Sequence, residues 1–104
     1  PGAENPGDPG GVAVPLPTRV TLSQNAPNPF HGRSVLTFGV VRAGPVSLRV
    51  YDLQGRAVAT LVEGILPPGF YQAELDGARF ASGLYLCRLD AGGTVATKRV
   101  LVVK

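Results

Sequence analysis

Hydrophobic and polar residues alternate along most of this chain, which is the pattern of strands with one buried face. From Arg19 onward, turn residues divide the alternation into seven short segments, and a helical period is not found. We therefore predict seven β-strands, over residues 19–23, 34–41, 46–51, 57–62, 71–75, 83–90 and 94–104.

Turn residues between these segments predict how the strands connect. The sequence Asp52-Leu53-Gln54-Gly55 is a strong turn signal, because Asp suits the first position of a turn and Gly accepts a left-handed backbone. Val58 and Leu61 break the alternation of the fourth segment, which predicts a β-bulge. Three further connections are predicted: a hairpin turn at 43–45 between the second and third strands, a longer loop at 63–68, and a final hairpin turn at 91–93.

A segment with two prolines at alternate positions precedes the second strand. Pro27 and Pro29 fix their own φ angles and restrict the residues before them, so few backbone conformations remain. Asn25 and Asn28 can each hydrogen-bond to the backbone two residues on, and Phe30 supplies a large apolar ring. We predict that these residues form a fixed turn, called the proline corner below, which leads the chain into a sheet.

Seven short strands with turns every 8 to 12 residues favour a two-sheet antiparallel sandwich over a closed barrel. The predicted fold is all-β, a seven-stranded sandwich like those of immunoglobulin or fibronectin III domains. Tyr85, two residues before Cys87, resembles the tyrosine corner of such sandwiches, whose hydroxyl bonds back to the chain. The predicted core consists of Leu36, Phe38, Leu48, Val50, Tyr71, Leu75, Tyr85 and Leu89.

The first part of the chain differs in composition from the rest. Residues 1–18 are rich in Pro and Gly and offer little apolar area to offset the entropy of ordering them. We interpret this segment as a linker or tail, and residues 19–104 as one domain. With one cysteine, the chain has no internal disulfide.

The charges do not form a binding face in the sequence. The net charge is +3, and the basic residues are spread singly except for the adjacent Lys98 and Arg99. This distribution argues against a nucleic-acid interface, which needs clustered cations. No apolar run is long enough to span a membrane.

Candidate catalytic and metal-binding chemistry is also sparse. His31, the one histidine, lies in a polar turn without a second histidine or a cysteine nearby. Asp52, Asp76 and Asp90 stand at turns or strand ends, where turn chemistry explains them. We therefore predict a protein that is not an enzyme and has no cofactor or metal.

Four segments of the chain resemble a known family, the C-terminal sorting domain of the type IX (Por) secretion system, which is related to the immunoglobulin-like domain of the flagellar hook-capping protein. They are LSQNAPNPF at 22–30, VYDLQGRAV at 50–58, SGLY at 82–85 and TKRVLVVK at 97–104. Besides the proline corner, the motif residues carried over are Asp52, Gly55, Arg56, Gly83 and Tyr85.

The resemblance implies a non-catalytic module of an exported bacterial protein that is secreted or displayed at the cell surface. Its partners would be the outer-membrane secretion machinery and an upstream passenger domain, with the linker often cleaved after export. A basic pair followed by an apolar strand end offers a partner both a charge and an edge. The residues that the resemblance assigns to recognition are Lys98, Arg99, Val100, Leu101, Val102, Val103 and Lys104.

Two other functions are compatible with the sequence. The last strand is apolar on both faces, so Leu101 and Val103 are expected to be covered by a loop, the linker or another protein. This favours a structural subunit of a filament or surface assembly whose tail packs on an identical subunit. A carbohydrate-binding surface built from Tyr51, Phe70 and Tyr71 is the other alternative.

Overall fold

The computed structural model describes residues 16–104, so most of the predicted linker, residues 1–15, lies outside the described part of the chain. Within this described part seven strands follow one another, and a 3-10 turn at Gly77–Arg79 separates the fifth from the sixth. The strands are β1 (Thr21–Leu22), β2 (Arg33–Val40), β3 (Gly44–Tyr51), β4 (Ala57–Leu66), β5 (Gly69–Asp76), β6 (Gly83–Ala91) and β7 (Thr94–Val102).

The strands form two antiparallel sheets that pack face to face, which confirms the predicted sandwich. The first sheet has the order β1-β2-β5, and the second has the order β4-β3-β6-β7. β7 is therefore an outer strand of the second sheet, and it contacts β1 of the first sheet. The side chains between the sheets make one core.

The predicted hairpin between the second and third strands is wrong. β2 pairs with β1 and β5, whereas β3 pairs with β4 and β6, so the connection between β2 and β3 crosses from one sheet to the other. Both strands have an apolar inner face, and alternation cannot distinguish two strands paired in one sheet from two strands that face each other across a core.

The predicted loop at 63–68 is also largely wrong, because β4 continues to Leu66. Residues 63–66 pair with 44–47, so the predicted turn residues Gly44 and Pro45 are already part of β3. Pro45 lies near the start of its strand, where the missing N–H of proline is tolerated. Pro45 therefore lies in the first part of β3, and the connection from β4 to β5 is shorter than the predicted loop.

The hairpin between β3 and β4 forms as predicted. Gly55 has a φ of 87° and donates its N–H to the carbonyl oxygen of Asp52 at 3.0 Å. The predicted bulge is confirmed twice in β4. Pairing passes over Leu61 between Val62 and Thr60, and over Val58 between Ala59 and Ala57.

The carboxylate of Asp52 holds this turn together. Its oxygens accept the backbone N–H groups of Arg56 at 3.0 Å and Gln54 at 2.9 Å, and the Arg56 guanidinium at 2.9 Å. These contacts, with the backbone N–H of Arg56 first, lower the pKa of Asp52 below its ordinary value.

This lowered pKa predicts a pH-dependent contribution of Asp52 to stability. The stabilisation is complete above the unfolded-state pKa, about 3.9, and is lost as the pH falls through the folded-state pKa. We expect Asp52→Asn to melt at a lower temperature than the unmodified protein at neutral pH, and the difference to shrink at about pH 2. Thermal unfolding at both pH values measures this, and a constant difference would contradict it.

Six of the eight predicted core residues are buried, and the two tyrosines are half-buried. Tyr85 donates its hydroxyl to the carbonyl oxygen of Ala81 at 2.7 Å, which is the bond expected of a tyrosine corner. Tyr71 makes the same kind of bond to Pro67 while its ring stacks on Phe38 at a centroid distance of 5.4 Å. The two rings thus line the core while their hydroxyls remain near the surface.

Candidate recognition site on the terminal strand

The residues predicted for recognition divide between the two faces of β7. Val100 and Val102 point into the core and are buried. Arg99 is exposed on the outer face, as are Leu101 at 37% and Val103 at 41%. The buried pair therefore holds the strand in the fold, and the exposed residues are the ones that a partner can contact.

The ends of the predicted set are held differently. Lys98 is half-buried on the inner side of the strand. Lys104, beyond the end of β7, donates its ammonium group to the carbonyl oxygen of Gly77 at 2.6 Å. This hydrogen bond links the segment after β7 to the 3-10 turn that follows β5.

The proline corner lies along the outer edge of β7. The N–H of Phe30 donates to Leu101 O, and the N–H of Val103 donates to Phe30 O, each at 3.0 Å. The side-chain oxygen of Asn28 accepts the N–H of Leu101 at 2.9 Å, and the side-chain amide of Gln24 donates to Arg99 O at 2.6 Å. The corner therefore pairs the C-terminal half of this edge, but within residues 16–104 it leaves the side chains of Leu101 and Val103 exposed.

The other side of the corner is attached to the first sheet. Ala26 and Val35 exchange backbone hydrogen bonds of 2.9 and 3.0 Å. The buried side chain of Asn25 donates to Ser34 Oγ at 2.8 Å and to Pro27 O at 3.0 Å. Because one short segment bonds to β2 and to β7, it joins the two sheets along one side of the sandwich.

Both X-Pro bonds of the corner, Ala26–Pro27 and Asn28–Pro29, are cis. The side chain of Phe30 enters the core and is 1% exposed. It shares a tightly packed interior gap with six residues, Val50, Leu75, Phe80, Tyr85, Val100 and Val102. The predicted turn thus positions a core residue directly under β7.

The remaining motif residues shape local turns. The bonds of Asp52 to Gln54 and Arg56 stay within the β3–β4 hairpin. Gly83 begins β6 with a φ of 154°, a backbone conformation that favours glycine. The structure therefore brings the proline corner and Tyr85 to β7, and it leaves the Asp52 turn as a separate feature.

β7 carries two adjacent cations, Lys98 and Arg99. Among the described residues, the ion pairs are Arg33 with Glu74, Arg49 with Glu63, and Arg56 with Asp52, so neither Lys98 nor Arg99 takes part in one.

The structure provides little for other kinds of site. The thiol of Cys87 is fully buried, and burial raises its pKa to about 12, so it is a poor nucleophile. Within residues 16–104 no three His, Cys, Asp or Glu side chains come together as a metal site, and no helix there is long and apolar enough to cross a membrane.

The three aromatic residues considered for carbohydrate binding do not share a surface. Tyr51 lies on the outer face of the second sheet, Phe70 is exposed on the first sheet, and Tyr71 turns inward onto Phe38. A sugar platform made from these three residues is therefore contradicted by the structure.

Comparison with known proteins gives one family. The family described as "secretion system C-terminal sorting domain" matches residues 26–104, which begin in the proline corner and contain β2 to β7. A search of curated proteins finds no match. The matched range includes the edge contacts between the corner and the terminal strand.

Proposed function

Because the chain belongs to the family of secretion system C-terminal sorting domains, we propose that the type IX machinery recognises it through its terminal strand, β7. Membership of this family marks a protein for export to the cell surface or the medium. It also implies interaction with the secretion machinery and with a passenger domain.

The observation that carries the proposal is the division of β7 into buried and exposed residues. Arg99, Leu101 and Val103 form an exposed row of one cation and two apolar side chains next to an ordered edge. Such a row offers charge for orientation and apolar area for affinity. Val100 and Val102 act indirectly, because they fix the strand that presents this row.

The same proposal assigns roles to the rest of the chain. Residues 1–18 act as the linker to the passenger, and residues 19–104 act as the sorting domain. The domain itself is non-catalytic and needs no cofactor, since its role is to be bound by the machinery.

We test the proposal with Arg99→Ser/Leu101→Ser/Val103→Ser, fused to a passenger in a host that has the type IX machinery. Export should fall by about tenfold or more, because the variant lacks the exposed cation and both apolar side chains. A tenfold loss corresponds to about 1.4 kcal/mol of binding free energy. The matched control is Arg42→Ser/Val58→Ser/Ile65→Ser, which removes one exposed cation and two exposed apolar side chains elsewhere. Normal export of the first variant, with its fold retained by circular dichroism, would reject recognition through β7.

A structural subunit is the second candidate function, and the outer strands β4 and β7 of the second sheet favour it. Edge strands can pair with another copy of the same chain. Light scattering on residues 1–104 and on a chain that begins at Thr18 distinguishes the candidates. Assembly of the longer chain alone would assign the tail to subunit contacts, and a monomeric longer chain would exclude this function.

A further inference from the structure

The N-terminal half of β7 has an open edge. In an antiparallel strand, successive residues direct their backbone groups alternately toward the two neighbouring strands. Leu101 and Val103 bond through their backbone groups to the proline corner, and the carbonyl oxygen of Arg99 bonds to Gln24 just before the corner. The backbone N–H and C=O groups of odd-numbered residues along β7 therefore point away from β6. Val95 and Thr97 follow the same alternation, and no strand among the described residues pairs with β7 on that side.

The proline corner sets the limit of this open edge. The corner bonds to both backbone groups of Leu101 and to the N–H of Val103, and Gln24 beside it bonds to the carbonyl oxygen of Arg99. A partner strand that added there would first have to displace several hydrogen bonds, which opposes its binding. Addition along residues 95–99 that uses both backbone groups of Val95 and Thr97 and only the N–H of Arg99 leaves them intact.

The charge around the open edge is positive. Arg99 is exposed at one end of it, and Lys98 is half-buried beside it. Arg88 on β6 is exposed directly opposite Thr97. Two carboxylates lie nearby: Asp90 is half-buried opposite Val95, and Asp52, which is already paired with Arg56, lines the adjacent hollow. An acidic partner is therefore attracted, and a basic one is repelled.

The outer face beside this edge is also concave. A hollow of about 280 Å³ lies on it, and the second sheet supplies most of its lining. Tyr51, Leu53 and Leu86 contribute apolar surface, while Arg88 and Thr97 line its side toward β7. Side chains of a strand added to β7 would lie next to this hollow, on the face that carries Arg99.

We propose, on the basis of the proposed function, that an extended segment of the secretion machinery adds as a strand to residues 95–99 of β7, and that this segment carries acidic side chains. Strand addition supplies affinity through main-chain hydrogen bonds, and the flanking side chains supply specificity. The proline corner keeps the segment in the open half of the edge.

The test is Thr97→Pro in the passenger export assay. Proline has no N–H and is accepted on an edge strand where the N–H points outward, so the pairing of β7 with β6 is retained while an added strand is blocked. The control is Ile65→Pro, at an exposed position of β4, the other outer strand of the same sheet. We expect export of Thr97→Pro to fall by about tenfold or more and export of Ile65→Pro to be unchanged.

Thermal unfolding establishes that the variants are folded, and Val95→Pro replaces Thr97→Pro if the latter is not. Normal export of the folded proline variant overturns strand addition. If the triple serine variant at Arg99, Leu101 and Val103 still fails to be exported in that case, recognition through β7 remains supported and only strand addition is rejected. If the triple variant is also exported normally, both proposals fail.

The acidic character of the partner is tested with Arg88→Glu, which leaves the sequence of β7 unchanged. We expect its export to fall, whereas Arg79→Glu, an exposed arginine on the 3-10 turn, should be exported normally. Equal export of the two variants overturns the acidic partner. Dimers of the unmodified protein that Thr97→Pro abolishes would make the occupant a second copy, which also overturns the proposal.

Discussion

Replacing Phe30 with alanine is expected to lower the free energy of unfolding by about 3–5 kcal/mol, the usual cost of removing a buried phenylalanine. The ring is 1% exposed and lies among residues of both sheets, including Leu75 of β5 and Val102 of β7. Its backbone also bonds to Leu101 and Val103. For a domain of this size the midpoint of thermal unfolding falls by about 4–8 °C per kcal/mol. The substitution should therefore lower the midpoint strongly.

Chemical denaturation of Phe30→Ala and Phe70→Ala measures this effect. Phe70 is 52% exposed, so the same substitution there should cost about 1 kcal/mol or less. The two variants carry the same substitution, Phe to Ala, at a buried position and at an exposed position. Equal losses for the two variants would contradict the assignment of Phe30 as the residue that fixes the proline corner under β7.

The number and type of strands could be predicted from sequence because those signals are local. Alternation depends on neighbours two residues apart, and turns such as Asp52 to Gly55 depend on residues within four positions. A bulge in β4 could also be predicted, since Val58 and Leu61 interrupt the alternation themselves, although the structure has two register shifts there. These features do not require knowledge of which strand lies beside which.

Strand pairing could not be predicted in the same way. Val40 and Val46 are both buried at the ends of β2 and β3 that are joined by a short connection, which is equally compatible with a hairpin and with a crossover. Whether the connection is a hairpin or a crossover depends on how all seven strands are distributed between the two sheets. No local residue pattern indicates that distribution.

The candidate site shows the same limit. The resemblance assigned residues 98–104 to recognition as one group, but the pleat of β7 places Val100 and Val102 in the core. The hydrogen bonds between the corner and this strand join residues such as Gln24 and Arg99, which are 75 positions apart. A contact at that separation leaves no local pattern, so the closed half of the edge could not be inferred from the sequence.

Replacing Gly77 with alanine is the second substitution with a large expected effect. A methyl group there would lie 2.7 Å from the carbonyl oxygen of Gly32 and 3.2 Å from the ring of Phe30. Neither neighbour can move freely, because the N–H of Gly77 donates to that same carbonyl and the ring is buried. We expect a loss of about 1–3 kcal/mol, the typical cost of overpacking.

Gly44→Ala is the matched control, because a methyl group at Gly44 meets nothing within 4 Å and the backbone there is not left-handed. At such a position alanine should be neutral or stabilise by about 0.4–1 kcal/mol, by reducing the entropy of the unfolded chain. Denaturation midpoints of the two variants give the comparison. If Gly77→Ala leaves the free energy of unfolding unchanged, the backbone around Gly32 can shift at little energetic cost. The contact between the 3-10 turn and the segment after the proline corner would then add little to stability.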